Sequence, residues 1–402
     1  VDTPFSLVDI YRYIMGCQNI HVLEDSAETK RKDQIVLHPF ASSKKKRWGN
    51  NKWTELIYKI ARENPDHDIH IVGSKEDTKD CSRIIESPAL ETLKDRIFGH
   101  TEYGDIAKTY QLLSESSLFI GHDSLVSHLA SETLTPTIVI SLGTVRPHET
   151  TAYQKGVINI APRNGCFPCT VEEQCDILPC HNSINHQSIS AIASGLIKKE
   201  EITLEYLTEN LSPFQLDSIL VYKTDYEDYG LVLKEISATN KTIKEVFKDF
   251  YKVIWQCYLR DHDINIGLPD VTKDSAAVLH KYQNGINYLY ELYNFGIKYS
   301  NKIITEAEQV EPNIKLIQDN INKLHEIDQL CNITKKTYPH LTGLIDYFFV
   351  AKSNAPGSNV IEICKSNLVT YYDASNLAAV LNEFLEKTIS PYVSHTVREK
   401  EV

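Results

Sequence analysis

Between residues 34 and 160, short runs of branched apolar residues alternate with stretches whose apolar positions recur every three or four residues. Gln34-Ile-Val-Leu-His38, Asp68-Ile-His-Ile-Val72, a short run at Arg96 to Phe98, Ser117-Leu-Phe-Ile120 and Thr137-Ile-Val-Ile-Ser141 carry strand patterns. Helical spacing follows each. Trp53, Leu56, Ile57, Ile60 and Ala61 share one face of Asn51 to Asn64, which Pro65 ends. Ile106, Ala107, Tyr110, Leu112 and Leu113 mark a second helix, and a third restarts after Asp123 and Ser124. Such alternation predicts an α/β fold with a doubly wound, parallel, Rossmann-like sheet. An amphipathic helix at residues 5–16 comes before it, and Ile184 to Ile197 reads as its closing helix.

From about residue 200 the pattern changes. Ser218 to Lys223 and Leu231 to Ile236 flank a Tyr-Glu-Asp-Tyr-Gly turn, which predicts a β-hairpin. Long helices follow, and most of the 22 tyrosines lie here. Ile303, Ala307, Val310, Ile314, Ile317, Ile321 and Leu324 alternate steps of four and three, the spacing of a coiled-coil seam. An antiparallel hairpin with the preceding helix, Ala276 to Tyr299, satisfies that seam within the chain, and an oligomer through the helical extension is the other way to satisfy it. Ala355 to Ser358 reads as a loop and Asn376 to Leu385 as a last helix. The expected organisation is a helix and linker at 1–33, a Rossmann-like domain at 34–200, and a hairpin plus mainly α-helical domain at 201–402.

Composition narrows the function. A net charge of −12 over 402 residues, with Lys44 to Arg47 as the one basic tract, argues against a nucleic-acid binder. No apolar run approaches the roughly 18 residues of a membrane span. The start, Val1-Asp-Thr-Pro, carries no secretory signal pattern, and nine cysteines are then expected in a reducing, cytoplasmic setting. Because Val1 is not an initiator methionine, the sequence is expected to be part of a longer chain.

Three stretches carry candidate chemistry. After the first strand, Ser42, Ser43 and four consecutive cations stand where open α/β sheets bind ligands, although a solvated loop is the ordinary reading of a basic run. At Asp123-Ser124 a strand breaks at Gly121 and a helix begins, so backbone N–H groups and the positive helix end point into the turn and favour an anion there. A carboxylate just past the second strand, Glu76 or Asp77, can accept from ribose hydroxyls or simply cap a helix. Separately, Cys166, Cys169, Cys175 and Cys180 have the spacing C-x2-C-x5-C-x4-C, which could surround one tetrahedral zinc or iron ion, or leave free thiols.

The wording of these stretches resembles the heptosyltransferase-like GT-B glycosyltransferases of family 9, which transfer heptose from ADP-heptose to lipopolysaccharide core or to protein. Asp123, Ser124, Ser127, His128, Leu129 and Ala130 match the family's Asp-(Ser/Thr)-Gly-x-x-His-Leu-Ala turn, with Leu125 replacing its glycine. His38 to Trp48 resembles its His-Pro-x-(Ala/Thr)-(Ser/Thr)-x-x-x-Lys-x-Trp loop, which puts Ser42 and Lys46 on the donor diphosphate. The family often has a Glu at position 76, and its Gly-x-Thr element makes Thr101 a contact for the base; His100 reads equally well as structural, and His122 reads as a turn residue. Arg146 to Glu149 and Tyr153 look like a loose version of a loop closing over the donor. A Cys-x-Pro-Cys with further cysteines is also common there, and some autotransporter heptosyltransferases hold iron with such a cluster.

The resemblance covers about residues 5–200 and implies the C-terminal, donor-binding half of a GT-B fold, with 5–16 as the helix before the hinge. It implies an inverting transferase that needs no catalytic cofactor, takes ADP-heptose and a glycan or protein acceptor, and works in the cytoplasm or at the inner membrane face. The general base belongs, by the same resemblance, to an N-terminal half, so no catalytic residue is assigned here. A nucleotide-sugar-binding or scaffold protein without turnover is the alternative, and another donor such as a UDP-sugar stays open.

Overall fold

The computed structural model describes residues 3–17, 31–101, 105–170, 175–227, 230–238, 241–260, 269 and 271–398. Lys30 of the expected linker, Glu102 to Gly104 after the third strand and Asp228-Tyr229 of the hairpin turn lie outside them. The described residues form two compact units, Asp2–Thr239 and Asn240–Val402.

One eight-stranded sheet organises the first unit, in the order β3-β2-β1-β4-β5-β6-β7-β8. Its strands are β1 (Lys32–His38), β2 (Asp68–Val72), β3 (Ile97–His100), β4 (Ser116–His122), β5 (Thr137–Ile140), β6 (Ile158–Pro162), β7 (Ile219–Glu227) and β8 (Gly230–Glu235). The first six are parallel. Alternation along each strand separates two cores. Ile35, Leu37, Ile69, Ile71, Leu118, Ile120, Ile138 and Ile140 pack on one face with α2 (Asn50–Glu63) and α8 (His186–Ile197). Val36, Val72 and Phe119 pack on the other with Leu113 of α4 (Ile106–Glu115) and Ala130 of α5 (Leu125–Glu132). Both faces are therefore covered, as a doubly wound sheet requires.

The hairpin does not belong with the helical extension. β7 pairs antiparallel with β6, and β8 with β7, so the sheet continues through the hairpin and the units divide after Thr239 rather than at 200. An unpaired edge on β6 would leave a row of backbone groups exposed, and the hairpin supplies their partners. Near the start, α1 (Leu7–Ile14) turns its apolar stripe outward: Met15, just past its end, is 74% exposed, whereas Asp9 is buried. The carboxylate of Asp9 accepts from Leu231 N–H at 2.9 Å, the Tyr153 hydroxyl at 2.5 Å and Arg12 at 2.8 Å, and these bonds decide which face goes in.

The second unit is helical: α11 (Ile243–Arg260), α12 (Lys273–Ala307), α13 (Ile314–Thr337), α14 (Thr342–Ser353) and α15 (Val360–Arg398). α12 and α13 share a core of Leu289, Tyr293, Ile303, Ile317, Leu324 and Cys331, completed by Phe348 of α14 and Tyr371 of α15. The seven-residue seam is not one helix. Ile303 and Ala307 end α12, Val310 is fully exposed between helices, and Asn313 caps α13 by accepting Leu316 N–H at 3.1 Å. Pro312 disfavours helical geometry at the residue before it, which breaks the run. The helix expected at Asn376 to Leu385 is the middle of α15. Among the described residues no helix is long and apolar enough to cross a membrane.

Gly296 marks the tightest contact in this unit, because a Cβ there would lie 2.1 Å from the buried Tyr371 ring. Gly296→Ala is expected to cost about 1–3 kcal/mol through overpacking. Urea unfolding of the helical unit measures it, and an unchanged midpoint would mean that Tyr371 can move aside.

Candidate functional site

The strand order reverses between β1 and β4, and at such a reversal open α/β sheets form a crevice beyond the carboxyl ends of the strands. Two segments meet there. The loop from Pro39 to Gly49 leaves β1, and the turn Asp123-Ser124 leads from β4 into α5. His38, the last residue of β1, lies 3.0 Å through Nδ1 from the Ser124 hydroxyl. His122, the last residue of β4, accepts the Trp48 backbone N–H at 3.0 Å through Nε2 and points Nδ1 at the Ile140 carbonyl, 3.3 Å away. Burial pushes His122 down to about 3 and His38 to about 4, so both rings are neutral at pH 7. A neutral His122 that donates from Nδ1 has its Nε2 lone pair free for Trp48.

Asp123 is a buried carboxylate at this place. Burial raises it above the usual carboxylate range, against the Thr150 hydroxyl, which donates to it, and the nearby His128 and Lys46. Lys46 is half-buried in the loop, near enough to Asp123 for its charge to act on the carboxyl, while Ser42 is exposed on the same loop. Within the turn, Ser127 Oγ accepts Ser124 N–H at 3.3 Å and donates to Ser124 O at 2.7 Å, which closes the start of α5.

The other expected residues divide. Asp77 accepts from Ser74 N–H at 2.9 Å and its hydroxyl at 2.7 Å, and so takes the capping part. That leaves Glu76 exposed, with a hydrogen bond from Ser74 holding its carboxyl below the ordinary value. Thr101 is buried and bonded to the Cys81 thiol, and the structure does not open it toward the crevice. Arg146 to Glu149 and Tyr153, expected as a loop closing over the donor, are engaged within the fold. His148 is buried against Tyr222, Glu149 accepts Thr3 N–H at 3.0 Å, and Tyr153 is bonded to Asp9; Thr150, not singled out in the sequence, is the residue from α6 (Pro147–Thr150) that reaches Asp123.

The cysteine segment lies against the β1 loop. Cys169 N–H donates to Gly143 O at 2.8 Å, and His181 of α7 (Pro179–Ser183) bonds Lys45 O at 2.8 Å through Nε2. Trp48 Nε1 donates to His181 O at 3.3 Å. Gly143 has a positive φ of 61° and a Cβ there would lie 2.5 Å from Lys45 O, so only glycine lets the two loops approach. None of the four cysteines is in a disulfide: Cys166 is exposed, Cys175 partly covered, and Cys169 and Cys180 are buried. Among the described residues no group of three or more His, Cys, Asp or Glu is arranged to hold a metal ion, so the zinc or iron expectation finds no support.

A carboxyl whose folded pKa is raised favours folding when protonated, so its contribution is present at low pH and lost as pH rises through the folded value. Asp123→Asn is therefore expected to raise the thermal midpoint at pH 7 by about 2–5 °C, an advantage that vanishes below about pH 4. Scanning calorimetry of both proteins across that range checks it; equal midpoints at pH 7 would show that the buried carboxylate carries no cost.

Residues 17–180 match the model of glycosyltransferase family 9 (heptosyltransferase). No curated protein matches the chain. Among solved structures, Escherichia coli ADP-heptose lps heptosyltransferase II is 17% identical, over 48% of this chain and 52% of that one, with a TM-score of 0.36. The glycosyl transferase family 9 protein from Veillonella parvula is 13% identical over 47% and 51%, with a TM-score of 0.34. E. coli heptosyltransferase WaaC with ADP is 17% identical over 32% and 38%, with a TM-score of 0.27. The chain spans about half the length of the solved proteins it matches, or less.

Proposed function

We propose that this chain, whose residues 17–180 match the model of glycosyltransferase family 9 (heptosyltransferase), provides the nucleotide-sugar-binding half of an inverting glycosyltransferase. The donor is ADP-heptose and the acceptor a lipopolysaccharide core or a protein hydroxyl. One observation carries the reading: within the family-matched segment, the loop bearing Lys46 and the turn at Asp123-Ser124 meet at the point where strand order reverses.

An acceptor hydroxyl attacks the anomeric carbon in line with the departing ADP. A carbon–oxygen bond forms as the bond to the diphosphate breaks, and the leaving phosphate takes up the electron pair. Positive groups fixed in advance around that phosphate stabilise it more in the transition state than in the bound donor. The Lys46 ammonium is one, and the Leu125 and Val126 N–H groups at the start of α5 are the others, because helix geometry leaves them without intrahelical partners. Ser42 donates to the same diphosphate. Glu76, exposed past β2, accepts from the ribose hydroxyls. Asp123 and His128 hold sugar hydroxyls, and the carboxylate, already accepting from Thr150, has a second oxygen for that purpose. The acceptor's proton passes to a base that the family resemblance puts in an N-terminal half.

Calorimetric titration with ADP-heptose, ADP, UDP and GDP tests this. ADP and ADP-heptose should bind selectively, and Lys46→Ala should weaken them by about 10- to 100-fold, the loss expected for one charge-assisted hydrogen bond. Unchanged affinity in Lys46→Ala would remove the loop from the diphosphate site, and equal affinity for all three nucleotides would remove the adenine assignment.

A further inference from the structure

We propose that His38 and His122 are positioning residues that latch the β1 loop and the β4 turn to each other, so that the two donor-binding segments move as one. The proposal rests on the donor-site reading for its purpose, but not for its geometry. β1 and β4 pair in parallel register with His38 opposite Gly121, so the two histidines stand side by side at the ends of adjacent strands. Each then bonds to the segment that leaves the other strand. His38 on β1 reaches Ser124 of the β4 turn, 86 residues away, and His122 on β4 reaches Trp48 of the β1 loop, 74 residues away. The crossing is the point. Had each ring bonded its own loop, either loop could shift alone; crossed bonds make a displacement of one segment strain the bond that orders the other.

The rings are themselves fixed. His122 is fully buried, its Nδ1 faces the Ile140 carbonyl, and its ring meets Trp53 edge-on at 5.5 Å. His38 is almost fully buried and meets Phe40 edge-on at 5.8 Å. Water cannot replace either bond at such sites without opening the core. Further along the loop, His181 adds the bond to Lys45 O, so the backbone on each side of Lys46 is held by a histidine from another element. That matters for a lysine whose ammonium must find one phosphate, since about 1 Å of misplacement can cost as much as losing the group.

Hydrogen exchange without any ligand tests the latch, read on residues 41–48 and 123–127 in His38→Leu, His122→Leu and the double variant. Each single change should speed exchange in both segments by about tenfold or more, and the double should add little. His38→Asn, with an oxygen near the Nδ1 position, and His122→Gln, with one near Nε2, should restore slow exchange; a purely space-filling role would favour leucine instead. If a leucine variant does not fold, Ser124→Ala removes the His38 bond by deleting one oxygen and should still loosen residues 41–48. Faster exchange confined to the segment whose own bond was cut would overturn the proposal. ADP affinity measured alongside should fall in each single variant and be less than additive in the double. If the wild-type chain binds no nucleotide while the exchange pattern holds, the donor reading fails and the latch stands.

Discussion

The lateral pairing of β1 with β4 is the constraint on which the rest depends. Because β2 and β3 continue on one side of β1, and β5 and β6 on the other side of β4, the connections after β1 and β4 leave in opposite directions and a crevice opens between them. The basic loop, the start of α5, the buried Asp123 and two neutral histidines stand around it. The hydrophobic alternation that buries β1 on both faces is therefore also what brings Lys46 near Asp123. A strand slipped by one residue would send His38 to the other face and dissolve the site.

Much of this was legible in the sequence because it is local. Strand-helix alternation, the break at Gly121 and the serine at the start of α5 are readable within a dozen residues, and the structure has the elements where they were expected. What could not be read is pairing across the sheet. His122 looked like a turn residue, yet its work is to hold Trp48, and nothing in either neighbourhood announces a bond spanning 74 residues. Thr150 was hidden for the same reason, inside a segment whose more conspicuous charges, Arg146 and Glu149, suggested a loop over the ligand. Thr101 shows the opposite case, where a motif position was right in spacing and the side chain turned toward Cys81.

The helical unit illustrates a limit of periodicity. A seven-residue repeat passed through Val310 and Ile314 without a gap, but Pro312 and the capping asparagine at 313 turned it into two antiparallel helices. Local backbone rules outweighed the seam. The cysteine segment gives a related lesson: four thiols close in sequence differ in burial, while the His181 ring just after them braces the loop at Lys45 O and Cys169 N–H bonds Gly143 O. Its contribution to the site is made by one histidine ring and by backbone groups, which composition does not reveal.

The central claim is that a nucleoside diphosphate lies where β1 and β4 end. A crystal structure of the chain with ADP bound tests it most directly. The account predicts the diphosphate between the Lys46 ammonium and the first turn of α5, with the ribose toward Glu76. ADP found instead in the cleft of about 560 Å³ lined by Tyr58, Lys59, Arg62 and His186, on the outer face of α2, would contradict it.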